Sequence, residues 1–412
     1  MKPRSVILLG LSVALLVGAL SFFFLGCGGG GGSEVPTTTV TPVTTTIPSG
    51  PTTTGAPAST TTTGAAATTT TIIATTTTTT TTSLPDFAWT QATGNAFPKG
   101  VSQHTSVVFD GKMWVIGGRN AVYGQGTSEV WSSTDGATWA SESVGSLPFL
   151  RQHSSVVYTT GVVPKIWVIG GQNNGIVTSE IWNSSDGVTW NDMGQANFTP
   201  RIQHSSIVFD GKIWAIGGNV KGVTDSDVPT NEVWSSTDGK AWTEVARSGG
   251  TPFFPPRIGH ITLSHNGKLW VIGGAYNDIA GGKMYLLNDV WSSVNGSTWT
   301  REGVLSSFAA VTPVFSAEAR GLGNGGTLSV DGTPYMFIFS GISSIDASNR
   351  YVYDDDLRYS QSGTGWPTAT TSTKYTGRAA ATSLVYNNKL WLIGGWNLTN
   401  TYYNDVWHTT NP

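Results

Sequence analysis

The chain has a single cysteine in 412 residues, Cys27. One thiol excludes a disulfide within the chain and any zinc site built from cysteines. Charge is scarce as well: Asp, Glu, Lys and Arg are 11% of residues and the formal net charge is −3. Nucleic-acid binding needs a concentrated basic surface, so no nucleic-acid partner is expected. The chain is instead rich in glycine, 52 residues, and tryptophan, 17 residues. Many short strands joined by tight turns have that composition.

The N-terminal stretch reads as an export segment. Lys2 and Arg4 precede a 20-residue apolar run, Val6 to Leu25, followed by Gly26 and Cys27. Leu25-Gly26-Cys27 resembles a bacterial lipobox, with Phe24 where that motif usually carries leucine. The resemblance implies cleavage after residue 26, lipidation of Cys27 and a membrane tether. An uncleaved N-terminal anchor is the alternative, because the run is just long enough to span a bilayer. Both place the rest of the chain outside the cytoplasm, in a bacterial cell envelope. From Gly28 to Ser83 the sequence is five glycines and then threonine tracts broken by Pro and Ala. With almost no large apolar side chains it cannot offset the entropy of ordering. It is expected to be a disordered stalk, with a flexible reach of about 40 Å. The expected division is a signal peptide over 1–26, the lipidated cysteine and linker over 27–84, and one folded domain over 85–412.

That last segment repeats. HTSVVFDGKMWVIGG at His104–Gly118 recurs from His153, His204 and His260, and in weaker form from Ala381. Each copy is two apolar strands around a tight turn. A second piece, EVWSSTDGATW at Glu129–Trp139, recurs at Glu180–Trp190, Glu232–Trp242 and Asp289–Trp299. Its Ser-x-Asp-Gly-x-Thr-Trp looks like a shortened relative of the Asp box of sialidases. Each unit thus predicts a four-stranded antiparallel meander, and tryptophan fills one slot in each of its second, third and fourth strands. Phe337 and Arg358 depart from this in the fifth unit. The sixth unit ends soon after Trp407 and lacks a fourth strand, while Phe87–Thr93 resembles Lys240–Ala246. The N-terminal segment therefore predicts the missing outer strand, which closes the ring without an open edge. Sixteen of the 17 tryptophans fall in these slots.

A double glycine after an apolar strand, then an acid, then spaced aromatics resembles the kelch β-propeller family. Unit spacings of 47 to 67 residues fit its repeat of about 50 better than the shorter WD40 repeat. The resemblance covers 85–412 and implies an all-β, six-bladed kelch-type propeller.

In such a meander the 1–2 and 3–4 turns share one face, and they are tight here. The 2–3 and 4–1 connections share the other and are long and irregular. Variable loops on a rigid scaffold are where binding resides. The candidate ligand face therefore carries Arg119, Asn120, Arg151, Asn173, Arg201, Asn219, Arg257, Tyr276, Arg378, Trp396 and Asn397. Arg320 and the histidines at 104, 153, 204 and 260 fall nearby, and every unit starts its third strand with an acid: Glu129, Glu180, Glu232, Asp289, Asp356 and Asp405. Repetition in every unit suggests blade framework, whereas a ring of ligand contacts is the competing reading. Trp396 is the tryptophan outside the slots, and an exposed aromatic there could stack on a sugar. Asp354-Asp355-Asp356 shows no loop with Ca²⁺-ligand spacing. No metal, cofactor or catalytic residue is assigned. The Cys–Tyr crosslink of galactose-oxidase-type propellers cannot form, because Cys27 lies outside the repeats. The expected function is a monomeric, membrane-tethered recognition module for a glycan or protein on the long-loop face. The alternatives are a sugar-active enzyme, either a cofactor-free mutarotase or epimerase or a sialidase-like one, and a structural envelope protein.

Overall fold

The computed structural model describes residues 84–120, 124, 126–142, 147–221, 227–245, 253–278, 283–304, 322–345, 350–397 and 401–410. All of them lie in the compact unit Thr78–Pro412. The export segment, Cys27, the threonine-rich stretch up to residue 83 and Arg320 lie outside the described residues.

Each repeat folds as a meander. In the first unit, Thr105–Phe109, Lys112–Ile116, Val130–Ser133 and Ala140–Glu142 pair in sequence order, all antiparallel. The second, third and fourth units repeat this order. The second strand is the most deeply buried, as its near-continuous apolar run requires: Met113 to Ile116 are all at most 2% exposed. In the sixth unit the sheet runs from Thr382–Tyr386 through Lys389–Ile393 and Val406–Thr409 to Trp89–Thr93. Trp89 stands opposite Thr409 and Gln91 opposite Trp407, so the chain's N-terminal strand completes its last sheet. The fifth unit has three paired strands, Asn324–Val330, Thr333–Phe339 and Leu357–Ser360. Its expected fourth strand is reduced to one bridge between Arg358 and Thr368.

The first strand of each unit adjoins that of the next, and the sixth adjoins the first. A separate apolar core fills each of the six gaps between sheets. One lock recurs in five of them. The tryptophan of a second strand presses on the turn glycine of the next unit's Asp-box-like hairpin. A Cβ on Gly187, Gly239 or Gly296 would lie 2.3, 2.4 or 2.2 Å from the rings of Trp114, Trp167 and Trp214. Trp391 meets Gly136 and Trp270 meets Gly363 in the same way. These turn glycines have φ between 74° and 81°, a region that disfavours side chains in any case. The sixth gap lacks such a turn, because its outer strand comes from the N-terminus. There Phe337 replaces tryptophan and packs edge-on against Phe87, with ring centroids 5.3 Å apart.

The turn itself is built by its acid. Asp135 Oδ1 accepts from the backbone N–H groups of Ala137 and Thr138 and from the Ser133 hydroxyl. Asp186, Asp238 and Asn295 do the same in their units. The N–H of Thr138 leads the interactions that hold the Asp135 carboxyl below its usual range. The 1–2 and 3–4 turns share a face, since one hydroxyl reaches both: Tyr386 Oη donates to the carbonyls of Gly111 and Thr134.

The opposite face departs from the expectation of irregular 2–3 loops. Two-stranded hairpins rise there: Asn219–Lys221 with Asp227–Pro229, Ala275–Asp278 with Lys283–Leu286, and Ile342–Ile345 with Tyr351–Tyr353. In the second unit the second and third strands simply continue to Asn173 and from Ile176.

Candidate functional site

The long-loop face closes toward the axis through a ring of backbone hydrogen bonds. Gln103, Gln152, Gln203, Gly259, Leu322 and Ala380 each sit just before a unit's first strand. Each N–H donates to the carbonyl of its counterpart in the preceding unit, at 2.9 to 3.3 Å, and Gln103 N–H donates to Ala380 to complete the circle. All six have φ between 50° and 57°. Five are not glycine, and the left-handed region is costly for side chains, so the ring holds strain that the surrounding sheets impose. These residues and the ones that follow them line an axial cavity of about 170 Å³. Its wall is lopsided. Units one to three contribute glutamines, and units four to six contribute Gly259, Leu322 and Ala380. Four units follow with histidine, whereas the fifth and sixth follow with Gly323 and Ala381.

Three of the four histidines are joints between blades, and the ring nitrogens of the fourth, His104, are buried without a partner. His153 Nε2 bonds Thr105 Oγ1 of the preceding unit at 3.0 Å; His204 bonds Ser154 and His260 bonds Ser205, each at 2.8 Å. Burial pushes His104 and His260 down to about 3 and His153 to about 4, and drives His204 well below its ordinary value. Neighbouring cationic groups add to the shift, Arg201 at His204 and Arg257 at His260. These rings are neutral at pH 7 and do not offer positive charge to an anion.

Three of the expected ligand arginines are corrected by their surroundings. Arg201, Arg257 and Arg378 are fully buried. Arg257 makes a two-pronged pair with Asp289, both contacts at 2.8 Å, and Nη1 also donates to the Gly273 carbonyl. Arg378 forks onto Asp405 in the same way, whereas Arg201 reaches Glu232 through Nη2 alone, and each also donates to the first glycine of the doublet. The third-strand tryptophan completes each group by donating to the acid: Trp234 to Glu232, Trp291 to Asp289 and Trp407 to Asp405. In the fifth unit Arg358 takes the tryptophan's place and keeps its bond, donating to Asp356 at 2.9 Å. The other acids of that triplet are likewise engaged, Asp355 by Lys374 and Asp354 by the Asp356 N–H. No cluster of side chains among the described residues could hold a metal ion.

The first two units break this pattern. The framework arginine stands three residues before the histidine in units three and four; Val101 and Leu150 occupy that place in units one and two. Arg151 stands two residues before His153, out of register, and is half-buried with Nε donating to Gln172 Oε1 at 2.7 Å. Arg119 follows the first unit's glycine doublet. Its guanidinium lies 5.9 Å from the Tyr402 ring, and its buried Nε has no partner. Neither arginine pairs with a carboxylate among the described residues. Backbone bonds bring them together: Gly118 N–H donates to the Leu150 carbonyl, and Arg119 exchanges two bonds with Ser102, beside Gln103. Burial lowers the Arg151 pKa, and the neighbouring Arg119 charge lowers it further.

The remaining candidates scatter. Asn120 and Asn219 are buried. Asn173 donates to the Glu180 carboxylate, and Asn397 to Tyr403 Oη at 2.7 Å. Trp396, the candidate for sugar stacking, is half-buried and meets Tyr353 of the fifth unit edge-on at 6.2 Å. Tyr276 is exposed at its hairpin. Sequence reasoning missed the axial glutamines, and their signal was present: they directly precede three of the four histidines that open the repeat.

A family model described as the KLHDC2/KLHL20/DRC7 Kelch-repeats domain matches residues 103–307. A solved structure titled "Structure of YjhT" superposes with a TM-score of 0.56 at 14% identity, covering 76% of this chain and 96% of that one. No curated protein matches. The chain has a kelch-type β-propeller fold, and residues 103–307 are its recognised kelch repeats. The matched stretch ends before the fifth unit, where histidine, framework tryptophan and fourth strand all depart from the pattern.

Proposed function

We propose that this protein is a recognition module, tethered outside the cytoplasm through lipidated Cys27, that binds a glycan or protein partner on the long-loop face of its propeller. One observation carries the reading: the axial cavity opens among raised hairpins, and that face presents Phe149, Ile176, Val228, Tyr276 and Val352, each at least 37% exposed. Apolar tips around a concave polar mouth suit recognition. The histidines support binding over acid–base chemistry, because each is buried, neutral and placed between blades. A glycan-array screen and an envelope pull-down with the purified protein test this. Capture of a partner that Ile176→Asp and Tyr276→Ala weaken supports the reading. Turnover of a sugar, or capture that neither substitution affects, overturns it. Acyl labelling that depends on Cys27, lost in Cys27→Ser, tests the tether separately.

A further inference from the structure

The framework tryptophans fill slots between sheets. Tyr351, Tyr353, Trp396 and Tyr402, in the 2–3 connections of units five and six, stand outside those slots, and each is half-buried. The backbone sets them in a row. Tyr351 and Tyr353 are two apart on one strand of the fifth unit's hairpin, so they share a face. Tyr353 meets Trp396 across the boundary between units, with ring centroids 6.2 Å apart. Trp396 and Tyr402 are partners in an antiparallel bridge, which puts their side chains on the same side. Tyr402 in turn lies 5.9 Å from the Arg119 guanidinium of the first unit. With cross-strand neighbours about 5 Å apart, the row from Tyr353 to Arg119 is long enough for about three sugar rings. None of the four aromatics lines the axial cavity.

The surroundings of the row are electrically balanced. Asp355 is engaged by Lys374, Asp356 by Arg358, and Arg378 by Asp405. Tyr353 Oη is buried without a partner in the protein, and such a group costs free energy until something completes it. Burial, with the Tyr351 and Tyr403 phenols nearby, pushes the Tyr353 pKa up to about 13, so its hydroxyl keeps the proton. Tyr403 Oη accepts from Asn397 at 2.7 Å, which leaves its own proton to donate. A sugar supplies what the row wants: an apolar ring face for the aromatics and oxygens for the phenols. An extended peptide would join an open backbone edge, but Trp396 exchanges two backbone bonds with Ala379, Asn397 N–H donates to Thr401, and Tyr403 N–H donates to Gly395.

We infer that Tyr353, Trp396 and Tyr402 form a stacking platform for a neutral linear glycan, which runs beside the axis from unit five toward unit one, with the Tyr353 hydroxyl donating to one of its oxygens. This rests on the recognition reading and narrows it to a neutral carbohydrate on one sector of that face.

Isothermal titration of the purified full-length protein tests it, using cellotetraose, maltotetraose, tetra-N-acetylchitotetraose, D-glucose and a proline-rich decapeptide. A neutral tetrasaccharide is expected to bind at least about tenfold tighter than glucose, since each further ring stacked on an aromatic adds affinity. Trp396→Ala should weaken that binding by at least about tenfold, and Trp396→Phe, which keeps a ring, by less. Tyr402→Ala should weaken it in the same direction. Tyr353→Phe removes the hydroxyl alone and should weaken it by about fivefold with an unchanged melting temperature. No binding of any tetrasaccharide, equal binding of tetrasaccharide and glucose, indifference to Trp396→Ala and Tyr402→Ala, or binding of the peptide alone overturns the inference. If no tetrasaccharide binds while the pull-down still captures a partner through Ile176 and Tyr276, the recognition reading stands and the glycan platform falls.

Discussion

At the scale of single residues, position within the repeat decides what a charged side chain does. Arg257 and Arg151 are the same residue type at neighbouring places in the fourth and second units, yet one is locked to Asp289 and the other donates to the neutral Gln172. Removing one partner of a buried pair leaves a charge uncompensated, at a cost of about 3–5 kcal/mol. Arg257→Ala should therefore lower stability by about that amount in urea denaturation, while Arg151→Ala should change it by less than about 0.5 kcal/mol. The histidines set a pH dependence. An unfolded histidine titrates near 6.5, whereas His104, His153 and His260 titrate at about 3 to 4 in the fold. Above pH 6.5 both states are neutral there and the stability is intact. Below it the unfolded chain binds protons first, so stability falls with pH, by up to about 1.4 kcal/mol per unit for each ring. Denaturation midpoints between pH 7 and 5 should show this, with a shallower slope in His260→Gln. The repeated residues were legible in the sequence as framework candidates. The displaced arginine was legible only by counting back from each histidine, since residue type alone cannot separate it from its paired relatives.

At the scale of strands and turns, the Asp-box-like hairpin is a packing device. Its acid ties the turn and its glycine receives the tryptophan of the preceding blade. Gly239→Ala places a Cβ 2.4 Å from Trp167 at a φ of +74°. Strain and overpacking together should cost more than about 2 kcal/mol. Gly111→Ala has a similar φ, +69°, with nothing within 4 Å of the added carbon. Its cost should stay near about 1 kcal/mol, and thermal melts of the two variants compare them directly. The meanders and the N-terminal closing strand could be read from the tryptophan slots because each slot answers to a buried position. The raised 2–3 hairpins could not, because their pairing is set by neighbouring backbone and not by a repeated apolar pattern. Phe337 departs from the tryptophan slot, and the structure gives a cause: it faces the one gap without an Asp-box-like turn.

At the scale of the whole molecule, six sheets share one backbone ring around the axis and divide their two faces by task. The turn face, with its repeated hairpins, holds blades together; the long-loop face carries the cavity and the hairpin tips. Closure depends on Trp89, which is buried against Phe339 and Tyr375 at 5.2 and 4.9 Å. Trp89→Ala should cost about 3–5 kcal/mol and expose the Val406–Thr409 edge to association, visible as aggregation during melting. The division of faces is tested most directly by hydrogen–deuterium exchange of the full-length protein with and without the partner that the array or pull-down captures. Protection is expected at residues 173–176 and Ala275–Asp278, with no change at residues 133–139 and 184–190 in the turns. Protection confined to those turns would contradict the account.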